Sequence, residues 1–400
     1  MSSLTPHATT AGSGARDGGP PRALIVGGGA GRGALAGARA LHAAGWRVGI
    51  ASPAPALAGA SRACVGRHLV PPPADGREAF ADAVRAAVGA GSYQLVFGAG
   101  DAEVLALSLW RDDLGAMFPG PPHAALVSAL DKLQLTEAAR AAGLATPRTW
   151  SDPQDGGGHD GPVVVKARVH GAPDHDEAPD RFEASLAPDA RTAARRTAEI
   201  RALGGEPILQ EVIDGRLLAL ATVRGRDGRL LATVQQEALG TWPRDAGVTA
   251  RGRTMPVDPR LREGVAALLE RLGWFGLAQV QFLAPPGGEP RLIDLNGRFY
   301  GSLALAVGAG VNLPAIWAAA AQDRPPPPAP PQLTAVRYQW LEGDLRRAFA
   351  ERRGGLLADV IGTLRYAVGA QHSVASLRDP GPALRLAAGF LPRARRRAWS

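Results

Sequence analysis

Two lysines stand apart in this chain. Lys132, in SALDKLQLTEAARAAGL, and Lys166, in GPVVVKAR, are the exceptions among 45 basic residues that are otherwise arginine. A compact ammonium on a flexible stem can follow a moving phosphate as a point charge, which the planar fork of arginine does less well. The competing reading is bland, because a surface lysine near a helix start needs no function. A second group lies in LAQVQFLAPPGGEPRLIDLNGRF. With Gly287-Gly288 as a two-residue turn, Gln281 falls opposite Asp294 and Gln279 opposite Asn296. Directly opposed residues have β-carbons roughly 5 Å apart. Their oxygen-bearing side chains would therefore converge, with Val280, Phe282, Ile293 and Leu295 directed the other way. Hard oxygen donors with little fixed charge suit Mg²⁺ that also binds phosphate oxygens. The alternative is the solvent-facing side of an ordinary hairpin, which alternates in the same way. The chain holds only two asparagines, Asn296 and Asn312, and one lies in this group.

These residues need elements to hold them. RALIVGGG suits a buried parallel strand and GALAGARALHAAGW a helix stopped by Gly45. RVGIAS, REAFADAVRAAVGAG and YQLVFGAG continue the alternation, which indicates a doubly wound α/β unit over about 22–118. A helix carrying Lys132 follows, with Ser128 as its expected cap. Then come the Lys166 strand, the helix TAARRTAEIRALGG, the strand PILQEVI, two strands around GRDGR, the helix PRLREGVAALLERLGW and the hairpin. SLALAVGAGVNLPAIWAAAA reads as helical, and RPPPPAPP as a stiff linker over 324–331. Residues 332–400 read as mostly helical. The expected units are a disordered leader (1–21), the Rossmann-like unit (22–118), a larger unit (119–323) with a lid lobe at about 145–212, the linker, and the helical C-terminal segment.

Composition narrows the function classes. Hydrophobic content of 46% with 20% charged residues is that of a soluble globular chain. The net charge of +8 is dispersed and aromatics are only 5%, so no nucleic-acid partner is expected. The basic run LPRARRR reads as a solvated helix end rather than a contact with an acidic membrane surface. The single cysteine, Cys64, excludes an intrachain disulfide and a cysteine-based zinc site. No apolar run is long enough for a membrane span, and the N-terminus lacks a secretory h-region. The expected compartment is the cytoplasm.

LIDLNGRFYGS resembles the metal-binding signature of the ATP-grasp superfamily. SALDKLQLTEAARAAGLATPRTW resembles its lysine-bearing helix, GPVVVKA its second-lysine strand, and PILQEVIDG its adenine hinge. The four run in the family's order from about 119 to 320 behind a Rossmann-like domain. The resemblance implies an ATP-grasp fold of two α+β lobes. Lys132 and Lys166 would contact nucleotide phosphates, and Glu211 would lie at the hinge. The backbone around Val212 and Ile213 would meet the adenine edge, and Asp214 the ribose. Gln281, Asp294 and Asn296 would hold Mg²⁺, with Mn²⁺ an alternative. Arg298, with Lys166, would act on the transferred phosphoryl group, and Arg251 would grip a substrate carboxylate. The implied activity joins a small-molecule carboxylate to an amine, or to a thiol, through an acyl phosphate. A homodimer is compatible with it. Several positions depart from the family pattern. Gln281 stands where most members have Glu, as in the carbamoyl-phosphate synthetase branch. Asp294 is one methylene shorter than the commoner Glu, Gly297 replaces Pro, and Leu217 stands at an often acidic ribose contact. The lid RVHGAPDHDEAPD is glycine-poor; its His170, Asp174, His175, Asp176 and Glu177 suggest a solvated lid ahead of a second metal site.

Two other classes compete. Gly29, Gly31 and Ala34 make a G-x-G-x-x-A match that would suit a nicotinamide-dependent oxidoreductase, but RVGIASPA lacks the acid expected to hold the ribose. The glycine-poor lid and the missing ribose acid suit an ATP-binding module without turnover.

Overall fold

The computed structural model describes residues 19–27, 31–151, 161–169, 184–244 and 247–389. The first unit alternates β1 (Arg22–Val26), α1 (Arg32–Ala43), β2 (Arg47–Ser52), β3 (Cys64–Leu69), α2 (Arg77–Gly91), β4 (Leu95–Gly98) and α3 (Asp101–Leu109). Its four strands are parallel in the order β3-β2-β1-β4. Ala23–Val26 and Leu95–Phe97 are buried, as central parallel strands covered on both faces must be. The strand order reverses between β1 and β4, and the crevice beyond their carboxyl ends is where such sheets present functional groups.

Next come α4 (His123–Leu130) and α5 (Lys132–Ala141). The expected cap, Ser128, lies inside α4. The cap is Asp131, whose carboxylate accepts the backbone N–H groups of Leu133 and Gln134 at 2.9 and 3.1 Å. That break starts a new helix with Lys132 as its first residue. A small sheet follows, formed by β5 (Thr149–Trp150), β6 (Val163–Ala167), β7 (Ser185–Ala187) and β8 (Pro207–Glu211) in the order β5-β8-β6-β7, with α6 (Ala190–Ala202) on it. Val163, Val165, Ile200 and Leu209 form its core.

The large sheet is built from β9 (Arg216–Arg224), β10 (Leu230–Trp242), β11 (Val248–Thr254), β12 (Gly276–Ala284) and β13 (Arg291–Asn296). The helix α7 (Pro259–Arg271) precedes β12; α8 (Leu303–Gly308) and α9 (Leu313–Ala321) follow β13. Beyond the proline-rich stretch come β14 (Arg337–Gln339), α10 (Leu341–Glu351), α11 (Leu356–Ala367), β15 (Gln371–His372) and α12 (Gly381–Gly389). Thus the segment expected to be helical also contributes two strands, which extend the sheet to β13-β12-β9-β10-β11-β14-β15. Strands of three and two residues are too short to show a period in the sequence. One sheet face packs Leu218, Leu220, Val280 and Phe282 against Leu261, Val265 and Leu268 of α7. The other meets the first unit through Phe97, Phe299 and Trp317, whose rings lie 4.7 to 5.5 Å apart. Among the described residues, no helix is long and apolar enough to cross a membrane.

The hairpin shows how the register is set. Its turn is Pro285–Gly288, closed by the Gly288 N–H on the Pro285 carbonyl at 3.0 Å. Gly287 has φ +68, which fits the third position of a type II turn. The expected Gly287-Gly288 two-residue turn is therefore incorrect. Near the turn Phe282 pairs with Leu292, and a bulge then restores Gln281 opposite Asp294 and Gln279 opposite Asn296. The bulge also reassigns a core position: Leu292 is buried with Phe282, while Ile293, expected on the apolar face, is half-exposed.

Close packing also fixes the glycines of α1. A β-carbon on Gly33 would sit 2.1 Å from the Phe299 carbonyl oxygen. Gly33→Ala must therefore separate α1 from the segment that follows Asn296. A cost of about 1–3 kcal/mol is expected, read as a melting midpoint lowered by several degrees. An unchanged midpoint would contradict this packing.

Candidate functional site

The polar side of the hairpin is buried. Gln279, Asp294 and Asn296 are 2%, 9% and 7% exposed, which removes the solvent-facing reading. Lys132 is 4% exposed, and its Nζ donates to Asp294 Oδ1 at 2.6 Å across 162 positions of sequence. The same oxygen accepts the Leu295 N–H at 3.0 Å. Asn296 Nδ2 donates to Gln279 Oε1 at 3.3 Å, and Gln279 Nε2 and Gln236 Nε2 both reach Ser302 Oγ, at 3.4 and 2.8 Å. Gln281 pairs with Asp294 on the same face and is half-buried. One carboxylate and two or more amide oxygens therefore share one face. Among the described residues, no group of three His, Cys, Asp or Glu could hold a metal by itself. This donor set suits Mg²⁺ that arrives with phosphate oxygens, because that ion needs only one or two protein carboxylates.

Arg298 joins this cluster from the end of β13. Its Nε and Nη2 donate to the two carboxylate oxygens of Asp101 at 2.5 and 3.2 Å. Burial opposes the guanidinium charge, but Asp101, then Asp294 and Glu103, hold its pKa above the ordinary value. Asp101 lies in the first turn of α3, just beyond β4 at the switch point. Sequence reasoning missed it; the signal was an acid directly after the apolar run LVFGAG. The fork-on-carboxylate geometry fixes the guanidinium plane. Should Arg298 act on a transferred phosphoryl group, as its motif implies, Asp101→Asn is expected to lower kcat by about tenfold to a hundredfold through misplacement of that arginine, with KM changed less. Full kcat would show that Asp101 does not position this arginine.

The small sheet holds the other lysine. Lys166 Nζ donates to Gln210 Oε1 on the neighbouring β8 at 2.9 Å, and Gln210 Nε2 reaches Thr149 Oγ1 at 3.2 Å. Two links tie this sheet to the start of α5. The Lys132 N–H donates to the Arg168 carbonyl at 2.9 Å, and Arg168 Nε donates to Asp131 at 2.8 Å while Nη1 meets Glu206 at 3.1 Å. Burial works against the Asp131 charge, yet Arg168 and the Gln134 and Leu133 N–H groups hold its pKa below the usual carboxylate value. A third link runs to the hairpin, since Glu211 at the end of β8 accepts Arg291 at the start of β13. The chain then crosses to the large sheet through Val212, Ile213 and Asp214, of which Val212 and Asp214 are exposed. An exposed apolar side chain beside a crossing outside helix and strand offers a flat ligand both a surface and backbone groups.

The other expected positions fall as follows. Lys132, expected on the nucleotide phosphates, donates to Asp294, an expected metal donor. Arg251 is engaged elsewhere: it donates to Asp344 Oδ2 at 2.9 Å and Thr363 Oγ1 at 3.1 Å and stacks on Tyr366 at 4.6 Å. That geometry departs from a carboxylate grip. Of the glycine match, Gly31 stands at the N-terminal cap of α1 and Ala34 is buried in that helix, and β2 ends in Ala51-Ser52 without an acid, its Ser52 hydroxyl donating to the Ala54 carbonyl. Gly29 and the lid residues His170, Asp174, His175, Asp176 and Glu177 lie outside the described residues.

Residues 209–344 match a family described as ATP-grasp in the biosynthetic pathway with Ter operon. Comparison with curated protein sequences gives no match. Among solved structures, the N5-carboxyaminoimidazole synthetase of Staphylococcus aureus complexed with ADP is similar with a TM-score of 0.62 at 14% identity, over 83% of this chain and 86% of that one. The biotin carboxylase of Campylobacter jejuni, solved as a beta-gamma-ATP complex, gives 0.61 at 14%, over 80% and 74%. The L-amino acid ligase of Bacillus licheniformis gives 0.56 at 15%, over 76% and 75%.

Proposed function

We propose that this chain, which has the ATP-grasp fold, is an ATP- and Mg²⁺-dependent ligase that joins a carboxylate to an amine. The observation that carries the reading is the buried contact between Lys132 and Asp294. It brings a phosphate-type cation onto a metal-type carboxylate from distant parts of the chain. In the first step a carboxylate oxygen attacks the γ-phosphorus of ATP, the bond to the ADP oxygen breaks, and an acyl phosphate forms. In the second, an amine attacks the acyl carbon, phosphate leaves, and the nitrogen loses a proton. A thiol acceptor would follow the same course.

Two anions must approach in the first step, so their repulsion has to be neutralised and the groups held in line. Lys132 and Lys166 bind the phosphates in this reading. Gln281, Asp294 and Asn296 would hold Mg²⁺, which would supply additional positive charge there. Arg298, its plane set by Asp101, stabilises charge on the transferred group. Glu211, Val212 and Ile213 line the adenine side, with Asp214 toward the ribose.

The lone carboxylate in the donor set also favours a second reading, an ATP-binding module without turnover. ADP release measured over pooled amino acids separates the two. The ligase reading expects release above the ATP-only background in at least one pool. Nucleotide-dependent thermal stabilisation with no release in any pool would overturn it in favour of the module.

A further inference from the structure

The helix α11 turns its polar side inward. Of its twelve residues only Asp359 and Thr363 are buried. Asp359 accepts Arg347 at 2.8 and 3.2 Å and the Arg353 N–H at 2.9 Å. Thr363 Oγ1 accepts Arg251 and Arg347 at 3.1 and 3.3 Å, and its carbonyl accepts Gln339 Nε2 at 3.0 Å. The apolar residues face out: Leu357 and Val368 are 74% exposed, Leu364 50% and Ile361 40%. Their spacing of four, three and four residues puts them on a single stripe. Phe349 of α10, the helix packed against α11, is 56% exposed as well. A surface helix ordinarily directs such a stripe at the core. This one is anchored by ion pairs on one side and presents leucine and isoleucine on the other.

Charge indicates what covers the stripe. Residues 341–389 hold seven arginines and five acids. The acids of α10 and α11 are engaged internally: Glu342 by Arg346, Asp344 by Arg251 and Arg347, Glu351 by Arg347 and Arg353, and Asp359 by Arg347. Arg352 and Arg365 are exposed and have no carboxylate partner among the described residues. Arg365 flanks the stripe. We propose that this face docks on an acidic lipid surface, with the stripe entering the headgroup boundary and the arginines meeting anionic headgroups. A second copy of the chain fits less well, because a two-fold contact would bring two arginine-flanked stripes together.

The test is co-sedimentation of the full chain with vesicles of phosphatidylcholine, alone or mixed with phosphatidylglycerol, at low and high salt. Binding should require phosphatidylglycerol and weaken with salt. The double variant Ile361→Asp/Leu364→Asp should lower the bound fraction at least about tenfold while keeping the melting midpoint, since both positions are exposed. Absence of binding to the mixed vesicles overturns the proposal. So does equal binding to phosphatidylcholine alone. A concentration-dependent doubling of mass that the same variant abolishes, without lipid binding, would make the stripe a self-interface and equally overturn it.

Discussion

Lys166→Ala is expected to lower ADP release by about 10²–10³, the size of effect seen when one preorganised donor to a developing charge is removed, while the melting midpoint stays close to that of the parent. The lysine lies on β6, flanked by β7 and β8, so its backbone is held by the ladder whatever the side chain is. Its ammonium donates to the neutral amide of Gln210 at 2.9 Å. Lys166→Arg is the sharper probe. The guanidinium keeps the charge but replaces a compact, rotatable donor with a rigid fork, so rescue should be poor. Full turnover by Lys166→Ala would remove this lysine from the chemistry and leave its scarcity in the sequence without explanation.

How much of this was legible in the sequence differs by residue. That Gln279, Gln281, Asp294 and Asn296 share a face followed from alternation, whereas their pairing was reached from the Gly287-Gly288 turn and holds at the site although that turn does not. The turn and the bulge at Ile293 were not legible. Two offsets of one residue cancel at the site, and alternation cannot register a cancelled shift. Lys132 and Lys166 stood out by type alone, yet the contact between Lys132 and Asp294 spans 162 positions and depends on how α5 meets β13. Asp101 and Arg298 are 197 positions apart. Nothing local to either predicts the pair, although an acid after a parallel strand at a switch point was a usable cue. The partners of Arg251 were hidden for the same reason: Asp344 and Thr363 lie on helices that pack beside β14 and β15, two strands too short to leave a pattern. Local periodicity gave the elements and one face of the hairpin; the contacts between distant elements needed the fold.

Lys132→Ala is expected to act twice, and the two effects can be separated. Lys132 and Asp294 are both buried, and truncating one removes the other's 2.6 Å partner, at a cost of about 3–5 kcal/mol. The same change should lower ADP release by about 10²–10³ by removing a phosphate donor. Asp294→Ala should match it in both respects, there through loss of a metal donor. Destabilisation alone could explain either result, so the double variant Lys132→Met/Asp294→Leu is the informative one. Replacing a buried ion pair by apolar side chains of similar volume is often neutral or stabilising. The midpoint should therefore recover most of what each single variant lost, with a coupling term well above the few tenths expected of independent sites. Turnover should not recover, because neither the ammonium nor the carboxylate is restored. If the pair only held α5 against β13, recovery of stability would bring recovery of ADP release. A well-folded double variant with parental turnover would thus reduce the contact to a structural link and remove the observation on which the ligase reading rests.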